Sequence, residues 1–223
     1  MNWTISSAMN ERKLDRRNVA DIYPLTPLQE GMLFHEELEP ELPAYWVRTA
    51  MTISGDLRPD RYRQAWQHTV DRYPVLRTGF VRSKSGRPLQ VVHKSAALDW
   101  HYEDLAHASP DEIACRLSEL GETHDRQPPE LNRPPLIRIV LVRVDESEYR
   151  LLWWKHNIVL DGWSWPIVLR SVFETYEDLL QGREPARDSG AEFSGYVAWL
   201  AAQDREAAKA YWTDYLAGCS DPA

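Results

Sequence analysis

Apolar positions along this chain recur at two periods, and the change from one to the other divides it into strands and helices. Through 47–54, Val47, Thr49, Met51 and Ile53 fall on every second position, the spacing of a strand with one face turned inward. Over 59–73 the spacing becomes helical, with Tyr62, Ala65, Trp66, Thr69, Val70 and Tyr73 on one side and Pro74 forcing the exit. Segments 76–82 and 89–93 read as a hairpin turning at 83–86, with Arg77 on the face opposite Leu76. A helix at 110–124 carries Asp111 and Glu112 in its first turn, where the macrodipole favours acids. The apolar runs 136–144 and 149–154 form a second hairpin across an acidic turn at 145–148. From Trp163 the series Ile167, Val168, Val172, Phe173, Tyr176, Leu179 and Leu180 describes an amphipathic helix that Gly182 stops, and helices at 192–203 and 204–216 follow. The pattern predicts an α/β fold (an α+β sandwich): a mixed sheet with helices packed on it, most of them after the last strand.

The two ends add less. Residues 1–19 are polar, with a charged run at 11–18, and read as a flexible leader. Next, Thr26 is a good N-cap, Pro27 suits the first helical position and Gln29 completes a capping box. On that short helix Leu28, Met32 and either Phe34 or His35 are expected to face inward. The breaker-rich run at 218–223 reads as a domain boundary.

Composition and charge narrow the function. A chain of 223 residues can bury a substantial core. Its 34 acidic and 26 basic residues leave a net charge of −8, spread along the sequence, which argues against nucleic acid as a partner. Cys115 and Cys219 sit at no metal-ligand spacing and read as free thiols. No window approaches a membrane span, so the expected compartment is cytoplasmic, with no membrane partner, no metal and no directly bound cofactor.

The chemistry concentrates between the last strand and the following helix, in Trp153-Trp154-Lys155-His156-Asn157-Ile158-Val159-Leu160-Asp161-Gly162-Trp163-Ser164-Trp165-Pro166. Ile158, Val159 and Leu160 are too apolar for a solvated loop, so the connection is expected to turn inward and its polar residues to have partners. A buried Asp161 would need a cation or several donors. His156 and Asn157, neighbours at a strand end, point to opposite faces. Ser164 lies outside any Gly-x-Ser-x-Gly elbow, and His156, Asp161 and His35 are too few for a metal site. The tryptophans of this stretch read as core and cleft wall.

Three separated stretches, in order, carry a resemblance. Pro24-Leu-Thr-Pro-Leu-Gln-Glu-Gly-Met-Leu-Phe-His35 is similar to the first core motif of the condensation domains of non-ribosomal peptide synthetases, and Arg72-Tyr-Pro-Val-Leu-Arg-Thr-Gly-Phe80 to the second. His156-Asn157-x-x-x-Asp161-Gly162-Trp163-Ser164 resembles the third, the His-His-x-x-x-Asp-Gly signature. Tyr196, Trp199, Gln203, Asp204 and Tyr211-Trp212 look like the end of that domain's N-terminal lobe. The chain thus resembles one lobe of a chloramphenicol acetyltransferase-like fold, with a leader at 1–19, the lobe at 20–218, and at 219–223 a linker or truncated boundary to a missing C-terminal lobe.

The resemblance implies an acyltransferase that forms peptide bonds: an aminoacyl or peptidyl group on one carrier protein's phosphopantetheine arm is attacked by an amine held on a second carrier. Its implied partners are those carriers, neighbouring synthetase domains and the second lobe. It makes His156 the inward, structural residue and puts Asn157, whose amide cannot take up a proton, where the family has its catalytic histidine. Whether Asn157 is natural or engineered stays open. Asp161 is expected to pair with Arg77, or with its rival Arg72, and in that case Asp161→Ala lowers the melting temperature by several degrees; the other reading makes it a surface N-cap. Gly162 offers an amide to a developing oxyanion and room for a pantetheine arm, or is only a turn glycine. Two functions follow: a lobe of a peptide-bond-forming enzyme, inactive as this chain, or a non-catalytic module that binds a carrier or a neighbouring domain.

Overall fold

The computed structural model describes residues 16–187 and 192–219, so the leader, apart from its last four residues, lies outside the described residues. The elements run β1 (Val19–Pro24), α1 (Pro27–Leu38), β2 (Trp46–Ser54), α2 (Pro59–Arg72), β3 (Thr78–Arg82), β4 (Pro88–His93), β5 (Asp99–Asp104) and α3 (Pro110–Asp125). They continue with β6 (Ile137–Asp145), β7 (Glu148–His156), α4 (Trp165–Leu180), α5 (Phe193–Ala201) and α6 (Arg205–Tyr215).

The apolar hairpin of β6 and β7 is the middle of a four-stranded sheet ordered β2-β7-β6-β5, in which only the β5–β6 pair is parallel. Both faces of this hairpin are covered, which is why its sequence runs apolar without alternation. On one face Ile139, Leu141, Leu151 and Trp153 meet Tyr62 and Trp66 of α2 and Val168, Val172 and Tyr176 of α4. On the other, Val140, Val142, Leu152 and Trp154 pack with Trp46 and with Leu120 of α3. Trp66 and Trp153 cross edge to face at 5.1 Å, both fully buried. A guanidinium fork from Arg116 and the imidazole of His101 close on Glu103, joining α3 to β5 and holding that carboxyl down to about 2.

The expected hairpin of β3 and β4 does not join this sheet. It forms a three-stranded sheet ordered β1-β4-β3, and β1 lies in a segment whose polar sequence hides it: four of its six residues are exposed. The short strand β5 was likewise unmarked, because its residues are only partly buried and alternate weakly. Residues 76 and 77, read as the start of a strand, belong instead to a 3-10 turn over Pro74–Arg77, so that strand begins at Thr78.

Helix α1 begins as expected. Thr26 accepts from the Gln29 amide and Gln29 returns the bond to the Thr26 backbone. Of the residues expected to face inward, Met32 packs against the core and His35 is half-buried, whereas Leu28 and Phe34 are exposed and Gln29 and Leu33 are buried in their place. The helix is rotated because its cap glutamine is drawn into a polar cluster. At the other end of the chain, none of α6 is buried, and Tyr211, Trp212 and Tyr215 stand in solvent.

Trp66→Ala and Trp153→Ala should each cost about 3–5 kcal/mol in urea unfolding. Because the rings touch, the double variant should cost less than the sum of the two.

Candidate functional site

The end of β7 is tied on both sides. The His156 amide donates to Leu136 O (3.0 Å) and the Asn157 amide to Tyr45 O (2.9 Å), so the strand is held between its neighbours up to its last residue. The chain then turns tightly, with the Val159 and Leu160 amides both on His156 O at 3.1 and 3.2 Å. Ile158, Val159 and Leu160 are buried, as their apolar character predicts.

His156 is 1% exposed. Its Nδ1 accepts from the Ile158 amide at 3.1 Å, which leaves the ring proton on Nε2, where it is donated to Glu36 Oε1 at 2.6 Å. Both ring nitrogens are thereby occupied. Asn157, the first residue past β7, is half-buried. Nearby, Tyr45 Oη lies 3.1 Å from His35 Nδ1, and the Tyr45 ring lies beside that of His156.

A buried amide cluster supports the turn from below. The side chains of Gln29 and Gln90 exchange hydrogen bonds at 3.1 and 2.9 Å, Gln29 Nε2 also donates to Ile158 O at 3.0 Å, and Gln90 Nε2 donates to Pro24 O. One glutamine therefore caps α1, joins the smaller sheet and anchors the residue after Asn157. The capping spacing revealed the first of these roles. Nothing local in the sequence marked the other two, nor the roles of Glu36 and Tyr45.

The expected ion pair of Asp161 with an arginine does not form. Asp161 is exposed, and its Oδ1 accepts from the Trp163 amide (3.1 Å), the Ser164 amide (2.7 Å) and the Ser164 hydroxyl (2.5 Å). The serine hydroxyl, followed by the backbone amides, holds its carboxyl below the usual range. It is a local cap of the turn into α4, the other of the two readings. Arg77 instead donates to the carbonyls of Val70, His93 and Lys94, which bind the end of α2 to β4. Arg72 donates to Ser171 of α4 and lies over the Tyr73 ring. Neither guanidinium reaches the motif, because three local donors satisfy Asp161 without the cost of ordering a long side chain. Gly162 is exposed with open space where a side chain would project, and Trp163, expected to begin the helix and line a wall, is 88% exposed ahead of α4.

This architecture has solved counterparts. The starter condensation domain of rhizomide synthetase matches with a TM-score of 0.76 at 22% identity, over 92% of this chain and 51% of that one. The first condensation domain of the calcium-dependent antibiotic synthetase matches at 0.74 and 23%, over 91% and 49%. The class is thus a condensation-domain fold, of which this chain spans about half. The family itself is shown by sequence: residues 19–222 match the condensation domain family model, and the chain belongs to that family. It is 41% identical over 219 residues to one of the linear gramicidin synthase proteins of Brevibacillus parabrevis, and 32% identical over 210 residues to surfactin synthase subunit 2 of Bacillus subtilis. Those stretches cover 96% and 94% of this chain but only 3% and 6% of the two relatives. Among the described residues no helix is long and apolar enough to cross a membrane.

Asp161→Ala should cost about 1 kcal/mol, a fall of roughly 2–4 °C in melting temperature, and Asp161→Asn should recover most of it. Because Asp161 and Arg77 do not touch, their alanine variants should add to within about 0.5 kcal/mol in a double-mutant cycle read by thermal unfolding.

Proposed function

We propose that this chain is the N-terminal lobe of a condensation domain that acts in the cytoplasm on carrier-bound thioesters, and that as it stands it performs no chemistry. The observation that carries the reading is the position of residue 157. The peptide-forming step needs a free amine to attack a thioester carbonyl, a C–N bond to form, the C–S bond to break with the thiol as leaving group, and the amine's proton to be taken up. An imidazole at 157 could accept that proton, and an amide cannot. The other polar groups of the motif are occupied: His156 by Glu36 and Ile158, and Asp161 by Ser164 and Trp163.

What remains is recognition and support. Gly162, with open space beside it just ahead of α4, suits the approach of a phosphopantetheine arm delivered by a carrier protein. The exposed aromatic residues of α5 and α6 suit contact with a second lobe, which together with this one would enclose the substrates. Asn157 also favours a second reading, in which the lobe is a non-catalytic module that binds a carrier or a neighbouring synthetase domain.

Joined to a condensation-domain C-terminal lobe and given two loaded carriers, the chain with Asn157 should yield no peptide above background by mass spectrometry of the carriers. Asn157→His should raise the rate by roughly 10²–10⁴-fold. No gain from histidine, with carrier binding intact, would replace the enzyme reading with the interaction module.

A further inference from the structure

Lys155 carries a buried charge that neither the fold nor the motif explains. It is 4% exposed, and among the described residues its Nζ makes one hydrogen bond, to Thr49 Oγ1 at 2.5 Å. Around the ammonium stand two indole rings, Trp153 with its centroid 5.0 Å away and Trp165 at 5.7 Å. Among the described residues no carboxylate lies within ion-pair distance of it, although other cations on this sheet have one, Arg138 with Asp99, Arg143 with Asp104 and Arg150 with Glu148. An ammonium has three donors, so two remain for a ligand. Burial accordingly pulls its pKa below the ordinary lysine value.

The surroundings show where a counter-charge would come from. Lys155 pairs with Val47 on one side and Ile137 on the other, and its side chain leans back over Trp153 toward Thr49, which is half-buried on β2. β2 is the edge strand of the sheet, so the ammonium points to the sheet's rim. Trp165, also half-buried, opens the first turn of α4. A buried cation between aromatic walls that exclude water favours an anion strongly, since little screening opposes the pair. Asn157 follows two residues on, just past the end of β7.

We propose that Lys155, Thr49 and Trp165 form a subsite for a carboxylate carried by the acyl substrate, the side chain of an acidic amino acid, which enters over the edge of β2 and takes two of the free donors of Lys155. The assignment rests on the acyl-thioester reading above and gives that site its substrate class. The carboxylate could arrive on the donor or on the acceptor; the ligand chemistry is the same, and the test separates them.

The probes are N-acetylcysteamine thioesters of glutamate, glutamine and leucine, each with the amine acetylated, as a donor, or free, as an acceptor, titrated calorimetrically into the 223-residue chain. The glutamyl thioester should bind at least about tenfold more tightly than the glutaminyl one, the scale of a charge-assisted hydrogen bond, and the arm that shows the preference identifies the carrier side. Lys155→Met, an apolar replacement of similar length whose fold is checked by circular dichroism, should erase the preference, and Lys155→Arg should keep part of it. Equal binding of glutamyl and glutaminyl thioesters, or a preference that survives Lys155→Met, overturns the subsite. Leucyl binding without a glutamyl advantage sinks the subsite and leaves the acyl-thioester reading standing, whereas no binding by any thioester brings down both.

Discussion

The double enclosure of β7 is the constraint on which the rest of this lobe depends. The strand is hydrogen-bonded to β2 and β6 along its length and covered on both faces, by α2 and α4 on one side and α3 on the other. A strand so placed can carry polar side chains only where each has a partner, because an unpaired buried group costs more than a hydrogen bond returns. Its last residues are polar all the same. Lys155 and His156 therefore have to be accommodated by elements brought from elsewhere in the chain, and those elements surround the motif.

Each accommodation uses a different device. His156 is satisfied at both nitrogens, by Glu36 from the last turn of α1 and by an amide two residues on, which fixes the ring's orientation and locks the strand end to that helix. The turn beyond is anchored at Ile158 by Gln29, itself held in a reciprocal pair with Gln90 of the smaller sheet. Helix α1 and both sheets thus meet under the motif, and a substitution at any of these polar residues would leave a buried partner unsatisfied, at the full desolvation cost. Lys155 stands apart, for the fold supplies it with one hydroxyl and two aromatic faces and, among the described residues, no negative charge.

Membership of the condensation domain family gives these placements their meaning. The polar side chains of His156 and Asp161 are occupied internally, whereas Gly162 is exposed with open space beside it. At residue 157 the backbone amide ties the turn to Tyr45 O.

The elements that were legible in the sequence are those whose evidence is local. The hairpin of β6 and β7, helices α2, α3 and α4, the Thr26 cap and the motif's inward turn all announce themselves through periodicity, capping spacing or a run of apolar residues. The strands β1 and β5 were not legible, because their stability comes from pairing with distant partners rather than from their own pattern. The rotation of α1, with Leu28 outward and Gln29 buried, had the same origin: a distant glutamine, 61 residues on, decided which side faces in. Residue identities, with the motif they resemble, marked His156, Asn157 and Asp161 as the candidate site. Their partners were settled only in three dimensions, since Asp161 could take an arginine or its own neighbours, and the neighbours, already fixed by the turn, lost less entropy in binding it.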